Sequence, residues 1–245
     1  MAKSPTWTVK SSLEALKKAG SKKVADGHAR YGIVAAKSFG VPMGAIQAIG
    51  KRIGRDHGLA QGLWASGWYE ARMLAAYVAE VDKVTSAEMD AWAADFDSWA
   101  VCDTLCFALW DRTPLVWTKI DAWATRDEEF VKRAAFALMA GVSLHDKGPI
   151  EVELLARLPL CAAAAKDARN FVKKGVSWAL RTVGVRDAAC HAKVTALAAK
   201  LAASTDRTER WIGSDVARDL ARPLVAKKLA AKAANATKKK PARAR

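Results

Sequence analysis

An all-α fold is what this sequence predicts, and three observations carry the expectation. Helix-capping signals recur along the chain, glycines stand near the ends of apolar-periodic segments, and no run of alternating β-branched residues competes for strand. Ser11 with Glu14 and Thr85 with Glu88 have capping-box spacing, while Val41-Pro42 and Thr113-Pro114 offer proline at a first helical position. Gly20, Gly40, Gly54, Gly67, Gly141 and Gly184 lie where helices would stop.

In chain order, a helix over 12–38 opens on Ser11, and 42–54 runs from Pro42 to Gly54. Helices 57–66 and 68–80 flank Gly67, and 86–95 opens on Thr85. Segment 98–110 carries Val101, Leu105 and Leu109 as an apolar set. Pro114 opens 114–125, and 127–143, 149–165 and 169–183 follow, the last closing at Gly184. The apolar pattern then continues through 187–203 and 207–221.

One internal similarity suggests how the helices are arranged. Phe130-Val131-Lys132-Arg133 recurs as Phe171-Val172-Lys173-Lys174, 41 residues on, and each opens an apolar helix. A helix pair repeated at about that period is the pattern of HEAT and armadillo arrays, which bury each unit against its neighbours and leave a concave groove. In such a stack Lys132, Arg133, Lys173 and Lys174 would line up as a positive stripe suited to phosphates.

Charge points the same way. The 245 residues carry a formal charge of +15, so a polyanion is the expected partner class. From Arg222 onward there are nine Lys or Arg and no acid, against 31 basic and 25 acidic residues before it. The chain therefore reads as a helical domain, 1–221, with a basic Ala/Lys/Arg-rich tail, 222–245, partly helical or disordered. Cys102, Cys106, Cys161 and Cys190 lie in apolar segments without a CxxC, which fits a reducing cytoplasm. No signal-peptide core and no membrane-length apolar run is present, so the expectation is a cytoplasmic protein.

Most familiar chemistries lack an anchor. His28, His57, His145 and His191 have no HExxH or comparable spacing, so no metal is expected. There is no GxSxG, Walker loop or GxGxxG after a strand, and no cofactor is expected. Cys102 and Cys106 read as core cysteines, and His145-Asp146-Lys147-Gly148 as a helix end. What remains is Trp99, Asp103, Arg133 and Trp178. Trp99 and Asp103, four residues apart, share one helix face, and a carboxylate beside an aromatic plane can stabilise a developing positive charge. Packing roles stay open for each of the four: tryptophans fill cores, and an Asp or Arg on a helix can pair with a neighbour.

From about Tyr31 to Ala221 the chain resembles the AlkD-type DNA alkylation repair proteins, built from HEAT-like repeats. The resemblance rests on FGVPMGAIQAIGKRIGRDHGLAQGLW, WYEARMLAAYV, DFDSWAVCDTL, RDEEFVKRAAFALMA and NFVKKGVSWALRTVG occurring in that order. It implies a right-handed solenoid with a concave DNA-binding groove, and excision of N3- or N7-alkylated purines from duplex DNA by hydrolysis of the N-glycosidic bond. The family's pattern, W-x3-D, then a repeat Arg, then a second Trp, falls on Trp99, Asp103, Arg133 and Trp178 as the catalytic set. Relatives often carry an acid directly after the first Trp; Ala100 stands there in this chain. The expected partner is duplex DNA containing alkylated purines, contacted by Lys132, Lys173 and Lys174, with the protein a monomer that touches no membrane. The alternative is a non-catalytic HEAT-like module that binds DNA structures or a protein through the same groove.

Overall fold

The computed structural model describes residues 6–239, which are all-α with connecting turns. The last residues of the expected tail, 240–245, lie outside the described residues. The chain divides into two compact units, Met1–Val116 and Trp117–Arg245.

The first unit holds α1 (Val9–Ala19), α2 (Lys22–Gly27), α3 (Met43–Ile53), α4 (His57–Ala65), α5 (Tyr69–Val78), α6 (Ser86–Ala94) and α7 (Trp99–Ala108). The helix expected over 12–38 is two helices and a loop. Gly20 closes α1 in an extended conformation, and Gly40 turns the chain at φ +70°, where a Cβ would lie 2.2 Å from the Ser21 carbonyl oxygen. The first capping box is one turn earlier than expected: Thr8 is the N-cap, and Ser11, its reciprocal partner, is the third helical residue. Thr85 caps α6 through the Glu88 amide as expected, but the Glu88 carboxylate turns instead to His57 (3.2 Å) and Gln61 (3.0 Å).

α5 is the centre of this unit, packed against α3, α4 and α7. Its Leu74 is fully buried, and Trp64 of α4 stacks on Trp92 of α6 at 4.6 Å. Glu70, also on α5, is fully buried. Its carboxylate accepts from the Ser38 hydroxyl (2.7 Å) and from the Phe39, Gly40 and Val41 amides (3.0, 2.7 and 3.2 Å). One side chain thus satisfies the backbone of the turn that leads into α3.

The second unit follows with α8 (Val116–Trp123, whose first residue belongs to the first unit), α9 (Glu129–His145), α10 (Glu151–Ala156), α11 (Leu158–Ala164), α12 (Asn170–Val183), α13 (Ala188–Ala202), α14 (Arg207–Leu220) and α15 (Pro223–Lys239). The helix expected over 149–165 breaks at Arg157, whose φ of −99° and ψ of 0° precede Pro159, a residue without an N–H to give the helix. Gly141 does not end a helix: it is buried inside α9, which continues to His145. The first part of the tail is the helix α15, and Lys232 on it donates to the Val185 and Arg186 carbonyls (2.7 and 3.1 Å) just beyond α12.

α9 packs on α12 and α12 on α14, and their contacts advance in the same direction. Phe130 meets Phe171, Arg133 and Phe136 lie against Gly175, Lys173 meets Trp211 and Ser177 meets Asp215. These three helices are therefore parallel, and α9 and α12 stand at the spacing read from the FVKR and FVKK segments. α13 packs on α14 and α12, and α11 on α12.

Arg186 ties this unit together where α12 ends. Its side chain is 9% exposed, pairs with Glu151 at 2.9 Å, and donates to the Ser143, Asp146 and Gly148 carbonyls. Arg186→Ala strands three carbonyls and a carboxylate, with an expected cost of about 3 kcal/mol. Urea denaturation checks this through a lower midpoint at unchanged slope; an unchanged midpoint would show that the loop holds itself.

Candidate functional site

α7 begins at Trp99, with Ser98 as its N-cap accepting from the Ala100 amide at 3.2 Å. Trp99 is half-buried, and its indole N–H donates to the Tyr31 carbonyl at 2.9 Å. That bond comes from a residue far away in sequence and fixes the plane of the ring. Asp103, one turn further along α7, is also half-buried and shares the Trp99 face. Ala100 points elsewhere: it is 8% exposed, and its carbonyl accepts from Thr104 Oγ1 at 2.7 Å. Beneath the pair, burial raises the Cys106 thiol well above its ordinary range, helped by Cys102 and by the Asp103 charge.

Close by in the same unit is a cleft of about 190 Å³, lined by Ala35, Lys37, Gly67, Tyr69, Arg72 and Asp97 among others. Burial pushes the Tyr69 phenol far up, with the charges of Glu70 and Asp97 adding to it. Arg72 lies 4.9 Å from the Trp64 ring and donates to the Asp95 carbonyl.

The remaining residues of the expected set belong to the second unit. Arg133, on α9, is 6% exposed and donates to the Phe171 carbonyl at 2.7 Å. Trp178, on α12, is half-buried. The lysines of the FVKR and FVKK segments have three different environments. Lys132 pairs with Asp167 at 3.2 Å with 15% of its side chain exposed, Lys173 lies 5.1 Å from the Trp211 ring, and Lys174 is exposed.

Asp167 is the anchor of the first arrangement. The Arg169 guanidinium, and then the Lys132 ammonium, hold its carboxyl down at about 2 against the opposing effect of burial. A carboxyl depressed on folding contributes stability that is complete above the unfolded value near 4 and is lost as pH falls through about 2. Asp167→Asn is expected to remove that part of the acid dependence while changing little in the way the protein responds above pH 5. Acid titration of both proteins by circular dichroism measures it, and superimposable acid limbs would refute it.

Sequence reasoning missed the Tyr31 carbonyl, the Asp167–Arg169 pair and Trp211. Asp167-Ala168-Arg169 ahead of a helix was a readable signal; the other two depend on contacts between distant segments. Among the described residues no group of three or more His, Cys, Asp or Glu is placed to hold a metal ion, and no helix is long and apolar enough to cross a membrane.

A protein-family model described as "DNA alkylation repair enzyme" matches residues 12–194. The chain belongs to that family. The matched part of this DNA alkylation repair family member ends inside α13, so α14 and α15 lie beyond it. A solved structure described as "a new family of proteins related to the HEAT-like repeat DNA glycosylases with affinity for branched DNA structures" is similar at a TM-score of 0.73. It is 19% identical, and the alignment covers 86% of this chain and 95% of that one. The likeness shows that the fold is HEAT-like and all-α. No curated protein matches the sequence.

Proposed function

We propose that this chain is an alkylpurine DNA glycosylase that acts as a monomer on duplex DNA and hydrolyses the N-glycosidic bond of N3- or N7-alkylated purines. The observation that carries the reading is the ordered indole of Trp99, pinned through its N–H to Tyr31 and set one helical turn from the half-buried carboxylate of Asp103. Membership of the DNA alkylation repair family supports an alkylated-DNA substrate.

Alkylation at N3 or N7 makes the purine cationic, so the base departs with the electrons of the C1′–N bond and becomes neutral without an added proton. The deoxyribose left behind carries positive charge, which a preorganised carboxylate at Asp103 stabilises. Water then adds to C1′ and gives its proton to Asp103 and on to solvent. The face of Trp99 packs against the sugar and interacts with the growing charge, and Trp178 of the second unit offers an indole of the same kind. Sugar glycosidases need a second carboxyl to protonate the leaving group; a cationic purine does not. Arg133, already buried and bonded to the Phe171 carbonyl, positions α12 and with it Trp178 rather than meeting solvent. Lys173 and Lys174, with Lys132 through its network, supply phosphate contacts.

The test is release of free base from duplex DNA containing 7-methylguanine or 3-methyladenine. A second reading, binding of DNA structures without cleavage, is favoured by two observations. The similar solved structure is described by its affinity for branched DNA, and Ala100 replaces an acid that relatives often carry. Retained DNA binding with no release from either substrate would decide for it.

A further inference from the structure

The solvent face of α14 carries a stripe that the glycosylase reading does not use. Arg207, Trp211, Ser214 and Arg218 follow one another at helical spacing and are all exposed, with Arg222 exposed just beyond the helix end. On the opposite face Ile212, Gly213, Val216 and Leu220 are buried. The orientation is fixed by backbone: a Cβ at Gly213 would lie 2.3 Å from the Ala202 nitrogen of α13, so α14 sits too close to roll. Two of the arginines are ion-paired, Arg218 with Asp215 at 2.6 Å and Arg222 with Asp219 at 3.0 Å, yet both side chains stay mostly exposed. Glu209 accepts from Ser204, Asp219 from Arg222, and Asp215 is shared by Ser177, Arg218 and Arg181.

An ordinary solvated face carries charges and small polar groups. This one sets an indole, 39% exposed, in the middle of arginines, with Lys173 reaching it from α12 at 5.1 Å. Arginine and lysine suit phosphates, but an exposed ring suits a π-face. Inside a duplex both faces of every base are covered by neighbours. An unpaired nucleotide offers a free one, with more freedom to meet the ring than the outer face of a terminal pair.

We propose that this stripe is a second nucleic-acid contact that takes an unpaired nucleotide beside the duplex, with Trp211 stacking on its base and Arg207 and Arg218 holding the flanking phosphates. The inference rests on the reading that the chain binds DNA and is independent of whether it cleaves. α14 lies beyond the residues matched by the family model.

The test uses the full-length protein and fluorescence anisotropy with two labelled DNAs, a blunt duplex and the same duplex with a short oligo-dT overhang. The wild type is expected to bind the overhang form about tenfold more tightly, the magnitude of one stacked base. Trp211→Ala erases that preference and leaves the blunt duplex within about twofold, while Trp211→Phe keeps it. Trp211→Leu, which stays apolar but loses the π-face, gives the same answer as alanine if the smaller side chain loosens the fold. Arg207→Gln with Arg218→Gln weakens both DNAs and flattens the salt dependence by about two in log–log slope. Equal affinity of the wild type for the two DNAs, or a preference that survives both Trp211→Ala and Trp211→Leu, overturns the proposal. Failure to bind either DNA overturns the DNA-binding reading beneath it.

Discussion

Asp103→Asn is expected to abolish release of 7-methylguanine and 3-methyladenine, a loss of about 10³-fold or more in single-turnover rate. The size follows from what the substitution removes. Asparagine has nearly the shape of aspartate, and position 103 is half-buried on a helix that Ser98 caps independently, so α7 stays formed. What disappears is the negative charge that would face an electron-poor sugar. An amide dipole cannot replace it, because the charge that develops in the transition state is nearly a full positive one. Binding of the duplex should be unchanged or slightly tighter, since removing a carboxylate reduces repulsion of phosphates. The combination to look for is a collapsed rate with retained affinity. A variant that releases base at more than about a tenth of the wild-type rate would remove Asp103 from the chemistry.

Glu70→Ala is the second large effect, and it acts on folding. The side chain is fully buried and receives one hydroxyl and three amides. Alanine leaves those donors without an acceptor inside the protein, each stranded donor costing about 1–3 kcal/mol. A total near 4 kcal/mol or more is expected, with the turn from Ser38 to Val41 losing protection first. Glu70→Gln, which keeps one acceptor oxygen, should cost about half as much. Urea denaturation of the three proteins gives the ranking, and a Glu70→Ala variant as stable as the wild type would show that water can take over the amides.

Much of the fold was legible because helix ends are written locally. Thr85 does cap α6, Gly54 and Gly184 do close α3 and α12, and the FVKR and FVKK segments do open successive parallel helices. The errors have one physical origin, that a residue type permits several backbone states and distant contacts choose among them. Gly141 has the same sequence signature as Gly184, but α9 carries on through it because that part of the helix is buried on every side. At Gly40 the reverse happened: α2 passes so near that only glycine fits, which no local pattern announces. The candidate site was legible at Trp99 and Asp103 because both lie on one helix turn. The different surroundings of Lys132, Lys173 and Lys174 were not, since Asp167 and Trp211, which engage the first two, come from other elements.

Phe171 is a joint between two repeats. Its amide donates to the Glu129 carboxylate at 3.1 Å and its carbonyl accepts from Arg133 at 2.7 Å, so both polar groups of one residue are gripped by side chains of α9. Helical arrays usually flex by letting neighbouring helices slide along apolar seams, which resist shear only weakly. Here a slip of α12 along α9 would break two buried-edge hydrogen bonds at once, and the seam behaves as a dowelled one. Arg133 is thus a peg that keeps two helices in register, and the second unit carries Trp178 on a stiff mount.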